Sequence, residues 1–218
     1  MAKMQTVRGI KMKENDIFYE LLGRYPALEK CKNEIYAAYE ALINCYDGGG
    51  KLLCCGNGGS AADSDHLVGE LMKGFLKQRP LNEEEKAKIG NDYISSYLQK
   101  GLPAISLCAH SALMTAFEND CAPDLTFAQQ VYGYGNKGDV LIGFSTSGNS
   151  KNVVYAIEAA RAKGVITIAV TGQKESKCSE KADICIKLPE TETFKIQELT
   201  LPVYHCLAAM TEEHYFAV

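Results

Sequence analysis

The sequence predicts a three-layer α/β fold: one mostly parallel sheet with helices on both faces. Short, fully apolar runs of strand length alternate with stretches whose apolar residues recur at helical spacing. Two of those runs end in glycine- and hydroxyl-rich loops, GNGGS at 56–60 and STSGNS at 145–150. Strands that alternate with helices in this way form parallel sheets through right-handed crossovers. A length of 218 residues suits one hydrophobic core, so a single domain is expected over 1–218.

Residues 1 to about 14 read as a poorly ordered arm. A helical segment covers about 15–47: Asn15 to Arg24, then Pro26 to Tyr46, where Leu28, Cys31, Ile35, Ala38, Tyr39, Leu42, Ile43 and Tyr46 share a face. Asp47-Gly48-Gly49-Gly50 stops it. Lys51 to Cys55 is a buried strand leading into the first glycine loop, and small residues then open a helix carrying His66 and Glu70. Residues 77–101 are polar and charged and form a surface excursion, most insertion-like over about 81–101, with Asn82 as an N-cap. Leu102 to Cys108 is a short strand, Ser111 to Phe117 a helix, and 124–134 another. Val140 to Phe144 is a strand entering the second loop; helix 151–163, strand Val165 to Val170, strand Ile184 to Leu188 and a C-terminal helix to about Phe216 complete the chain.

Composition narrows the function classes. Apolar content of 46% and charged content of 23% are ordinary for a soluble domain, and a net charge of −4 supplies no basic footprint for nucleic acid. No run of eighteen apolar residues exists to span a membrane. Nine cysteines without C-x-x-C spacing or an export signal imply a reducing cytoplasm, with the thiols acting as small hydrophobes.

Ligands of open parallel sheets bind beyond the carboxyl ends of the strands, where both loops fall. The second loop offers Ser145, Thr146, Ser147 and Ser150 as hydroxyl donors, and a helix N-terminus after Gly148. Hydroxyls and backbone amides hold phosphate without a dedicated lysine. There is no G-x-x-x-x-G-K-[ST], and GNGGSA lacks the third glycine of a dinucleotide fingerprint. His66 and Glu70, four apart, share a helix face as either metal ligands or an acid/base pair. His205 is open between a packed histidine and a ligand.

GNGGSAADSDH, STSGNSKNV and IQELTLPVYH together resemble SIS (sugar isomerase) domains, and within them the bacterial phosphoheptose isomerases, from about Leu28 to the C-terminus. The resemblance implies a doubly wound, flavodoxin-like SIS domain that converts sedoheptulose 7-phosphate to glycero-manno-heptose 7-phosphate. It implies zinc held by His66, Glu70, Gln197 and His205, with Glu70 and His205 moving protons. Substrate contacts would come from Asn57, Gly58, Gly59 and Ser60, from Asn119 and Asp120, from Ser145, Thr146, Ser147 and Ser150, and from Glu70 and Gln197. It further implies a homotetramer with active sites between subunits. Imidazole, carboxylate and amide oxygen would also admit other divalent ions.

Two departures bear on the substrate. Gly74 stands where the family carries an arginine, leaving Lys73, Lys77 and Arg79 as replacements, and 81–101 exceeds the family's short link. Rival expectations are an isomerase for a different phosphosugar, or a non-catalytic SIS protein that senses sugar phosphates or binds a replication initiator. Gln197 and His205 are eight residues apart, ~12 Å along a continuous helix. One ion reaches both only if Pro202 bends or delays the helix, if the long side chains lean together, or if two subunits share the site.

Overall fold

The computed structural model describes residues 12–216. Five parallel strands, β1 (Leu52–Cys55), β2 (Ala104–Ser106), β3 (Val140–Phe144), β4 (Ile166–Thr171) and β5 (Ile184–Lys187), lie in the order β2-β1-β3-β4-β5. That is the doubly wound, flavodoxin-like order, whose direction of winding reverses between β1 and β3.

The pleat sorts the core into two layers. Leu52, Cys54, Val140, Ile142, Ile168 and Ile186 face α1 (Met12–Arg24), α2 (Lys32–Asp47), α3 (Gly59–Met72) and α10 (Thr193–Phe216). Leu53, Cys55, Leu141 and Ala169 face α7 (Thr126–Tyr134) and α8 (Lys151–Ala162), which bring Phe127, Val131, Val153 and Ile157. Both faces are covered, so the strands read as unbroken apolar runs.

Most element expectations hold within a residue or two. The expected arm of 1 to about 14 lies outside the described residues as far as residue 11, but from Met12 the chain is already helical. Glu14 is fully buried there, its Oε1 3.2 Å from His214 Nδ1 of α10. After Pro26 the first turns are 3₁₀, and the α-helix begins only at Lys32. A short helix, α9 (Lys177–Lys181), is capped by Ser176 and had no periodic signal because it is little more than one turn.

The polar stretch forms α4 (Glu83–Ile89) and α5 (Asp92–Tyr97). Asn82 caps α4 in a reciprocal capping box with Glu85, and Asn91 caps α5. A bridge between Pro80 and Gln99 pins the two ends of the excursion together. It therefore leaves and re-enters the domain at one place, between α3 and β2. The remaining helix, α6 (Ser111–Asp120), follows β2.

Candidate active site

The two loops lie side by side because β1 and β3 are neighbours, paired from Leu52 with Val140 to Cys55 with Gly143. GNGGS therefore leaves the sheet beside STSGNS, at the reversal of strand order. Gly58, at φ +59°, turns the chain into α3, and Gly148, at φ +65°, turns it toward α8. A Cβ on Gly148 would stand 2.0 Å from Ser176 Oγ, so that turn has room only for glycine. Ser145 is buried, and its hydroxyl donates to Ser150 Oγ at 3.1 Å. Ser147 Oγ accepts the Asn149 amide at 3.1 Å. Thr146 and Ser147 line a cleft of about 280 Å³ with Gln173, Lys174, Glu190 and Thr193.

Asn57 is not free: it exchanges two amide hydrogen bonds with Asn152, at 2.9 and 2.8 Å. Asn119 and Asp120 end α6, and the Asn119 amide donates to the Asp120 carboxylate at 2.8 Å. Both are exposed, and neither bonds to the glycine loops among the described residues.

α3 carries the acid/base candidates away from the loops. His66 Nε2 is 3.1 Å from Glu70 Oε1, the i,i+4 contact its spacing predicts. α10 packs alongside α3 and brings His205, whose Nε2 is 3.5 Å from His66 Nε2 with the rings edge to face. Burial and the neighbouring His66 push the His205 pKa below the ordinary histidine value, with Glu70 opposing. His205 also lines a cleft of about 330 Å³ between α1 and α10, with Arg24, Tyr25 and Phe75.

Helix α10 runs unbroken through Pro202, so neither a late start nor an interruption brings Gln197 to His205. Gln197 instead lies over the start of α3, where a Cβ on Gly59 would meet its Nε2 at 2.5 Å. Gln197 beside Gly59 and His205 beside His66 mean that α3 and α10 run parallel. Seven residues of α3 separate Gly59 from His66, ~10 Å of helix. Within one chain, Gln197 and His205 thus serve opposite ends of the site.

The donors suit a divalent cation in kind and in pairwise spacing. Tetrahedral zinc with bonds of ~2.0–2.1 Å has ligand–ligand edges of ~3.3 Å, close to the 3.1 and 3.5 Å at His66 Nε2. Among the described residues, however, no group of three or more His, Cys, Asp or Glu side chains closes on one point to hold an ion. The pairs His66–Glu70 and His66–His205 fit; the full set does not close in one chain.

Burial separates the three cations expected near Gly74. Arg79 is 1% exposed and wholly engaged: its Nε donates to Glu212 Oε1 at 2.8 Å, its other nitrogens to the carbonyls of Leu71 and Glu70, and its guanidinium lies over Phe216. Lys77 pairs with Glu213 at 2.5 Å. Of the three, Lys73 alone reaches Glu70, its Nζ 3.1 Å from Oε2.

Three residues beside the site were not singled out by the sequence. Tyr204, 1% exposed, places its hydroxyl 2.9 Å from His66 Nδ1. Asp63 lies near the same hydroxyl; burial raises its pKa, while Tyr204 and nearby His66 hold it back. Asp63 stands three before His66, on the same helix face, which was the one available signal. Asn152, two residues after Ser150, had none.

The SIS domain family profile matches residues 25–100 and 98–172, meeting at the end of the polar excursion. A phosphoheptose isomerase of Rhodospirillum rubrum is 37% identical over 207 residues, 95% of this chain and 96% of that protein. The chain belongs to the SIS-domain phosphoheptose isomerases. A second relative, phosphoheptose isomerase 2 of Campylobacter jejuni, is 38% identical over 80% of this chain and 77% of its own length. The solved phosphoheptose isomerase of Neisseria gonorrhoeae has 29% identity and a TM-score of 0.71, covering 94% of this chain and all of that one. That of Francisella tularensis has 27% identity and the same TM-score over 93% of this chain and 97% of its own.

Proposed function

We propose that this chain isomerises sedoheptulose 7-phosphate to glycero-manno-heptose 7-phosphate, in the cytoplasm, as a tetramer with active sites between subunits. The observation that carries the reading is the convergence of Glu70 and His205 on His66, beyond a phosphate cradle at the β1/β3 reversal. The phosphate would sit on the amides and hydroxyls of Ser145, Thr146, Ser147 and Ser150 and the N-terminus of α8. Asn57, Gly58, Gly59 and Ser60 would line the sugar from β1, and Asn119 and Asp120 would reach it only after side-chain movement or from another subunit.

The reaction moves one proton between adjacent carbons through an enediolate. Glu70, a carboxylate held between His66 and Lys73, takes the proton beside the ketone. His205 returns one to the neighbouring carbon as the general acid. His66, Glu70, Gln197 and His205 would hold a zinc ion, which would polarise the carbonyl. The placement of Gln197 over Gly59 supports supply of that ligand by a neighbouring subunit. Nine cysteines, all free thiols, support the cytoplasmic assignment. Among the described residues no helix is long and apolar enough to cross a membrane.

A different sugar is favoured by one observation: among the described residues Lys73 is the lysine or arginine whose side chain pairs with the Glu70 carboxylate, while Arg79 and Lys77 are committed to Glu212 and Glu213. Incubating zinc-loaded protein with sedoheptulose 7-phosphate and a panel of shorter ketose phosphates tests both readings. Aldose product from the heptulose supports the first, and product only from another sugar supports the second. No product from any of them, with metal bound, refutes the enzyme.

A further inference from the structure

Three rings close around His205. His66 and Tyr204 stand edge to face with it, each with its centroid 4.9 Å away, and Phe75 lies tilted at 40° with its centroid at 5.3 Å. The first two rings belong to helices packed on each other. Phe75 lies in the turn after α3, which ends at Met72, yet it is half-buried and lines the α1/α10 cleft together with His205. An aromatic on a turn keeps a fixed place only where the turn backbone is itself fixed.

Glu212 fixes that backbone. Its Oε1 accepts the Phe75 amide at 2.8 Å, and its Oε2 accepts those of Leu76 and Lys77 at 2.7 and 3.1 Å. Successive amides aimed at one point form a concave anion site, and here the anion is the protein's own carboxylate, 1% exposed. Arg79 donates to the same carboxylate at 2.8 Å from the far end of the turn, which balances the buried charge. At the near end the Gly74 amide donates to Gln99 Oε1 at 2.7 Å, and a Cβ on Gly74 would stand 2.3 Å from the Lys77 carbonyl oxygen. The turn is therefore tight and held along its length.

Glu212 follows His205 on α10 by two helical turns, ~10 Å along the axis, so the two side chains leave the same face. One helix thus carries both the histidine and the carboxylate that brings Phe75 to it.

We infer that Phe75 is a positioning residue that holds the His205 ring in the orientation used for proton transfer, and that Glu212 places Phe75 by capturing the turn. This rests on His205 being the acid, as proposed above. A misplacement of ~1 Å, even from a change remote from the chemistry, can cost ~10²-fold in rate. The role is one of orientation, so it should show in kcat rather than in substrate binding.

The test compares Phe75→Leu, which keeps an apolar side chain, and Phe75→Tyr, which keeps the ring, with the wild-type chain. Kinetics with sedoheptulose 7-phosphate separate kcat from KM, and NMR reads the carbon-bound protons of the His205 imidazole, which the Phe75 ring current displaces. Phe75→Leu should lower kcat ~10–100-fold with KM changed less than about threefold, move the His205 signals and retain the melting transition. Phe75→Tyr should restore both kcat and the signals. In wild type the amides of Phe75, Leu76 and Lys77 should exchange slowly with deuterated solvent, although none lies in a helix or strand. Unchanged kcat in Phe75→Leu, or a rise in KM alone, overturns the positioning role, and so do unmoved His205 signals. Fast exchange of all three amides overturns the part given to Glu212. If wild type turns over no phosphosugar, the isomerase reading fails instead. The placement of His205 by Phe75 then stands if its signals move in Phe75→Leu and return in Phe75→Tyr, and falls if they do not.

Discussion

Asn57 and Asn152 face each other across the gap between the first glycine loop and the start of α8, each amide donating to the other's oxygen, at 2.9 and 2.8 Å. The clasp ties the loop after β1 to the helix after β3, and so sets the width of the gap proposed to hold the phosphate. Asn152→Ala removes both bonds, each worth ~0.5–1.5 kcal/mol. We expect a stability loss of about 1 kcal/mol, within that range because the pair is exposed, read as a lower urea midpoint. The KM for the phosphosugar should rise several-fold with a smaller change in kcat, since the clasp positions the cradle and touches no reacting atom.

Glu212 organises the turn after α3. It accepts the amides of Phe75, Leu76 and Lys77 at 2.8, 2.7 and 3.1 Å as well as the Arg79 side chain, and both members of the ion pair are about 1% exposed or less. Removing one partner of a buried pair strands the other's charge, which costs ~3–5 kcal/mol. Glu212→Gln should destabilise the fold by that order in denaturant titration. Exchange of Lys86 or Lys88, whose ion pairs lie on the surface of α4, should be almost silent.

Glu70→Gln keeps the side-chain volume and removes the base. A positioned general base contributes typically ~10²–10⁴-fold, so kcat should fall by that factor. Exchange of the substrate's carbon-bound proton with deuterated solvent should fall with it. Near-normal turnover with metal bound would remove Glu70 from the role of base.

Gln197→Ala and His205→Ala chains test whether sites are shared. In one chain Gln197 lies over Gly59 while His205 reaches His66, at the two ends of the packed pair α3 and α10. If one subunit supplies Gln197 to its neighbour's His205, each variant alone should be inactive, and mixed oligomers should regain measurable turnover. Absence of recovery in oligomers verified as mixed would refute sharing.

Thiol reactivity should follow burial. Cys121 is exposed, whereas burial pushes the thiols of Cys31, Cys178 and Cys206 up to about 12 and holds those of Cys54 and Cys55 well above the ordinary value. Only a thiolate reacts, so Cys121 should label first with a chromogenic disulfide at neutral pH, and the deeply buried thiols only on unfolding. Rapid labelling of Cys54 in native protein would contradict the packing of β1.

Local pattern determined much of this protein. The strands were legible because a parallel sheet buried on both faces leaves uninterrupted apolar runs, and Val140 to Phe144 was placed to the residue. The two glycine loops and the His66–Glu70 pair were legible because turns and i,i+4 contacts are set by near neighbours. Asn82 declared its cap for the same reason.

Tertiary structure alone decided the relations between distant segments. Strand order put GNGGS beside STSGNS, and nothing within either loop records the other. Arg79 could not be told from Lys73 as a substrate-facing cation, because its commitment to Glu212 spans 133 residues. Tyr204 looked like one more apolar position on a C-terminal helix until the packing of α10 on α3 set its hydroxyl against His66. Hydrogen-bond direction and burial depend on which surfaces meet, and a sequence states that only where the two surfaces lie within a turn or two of each other.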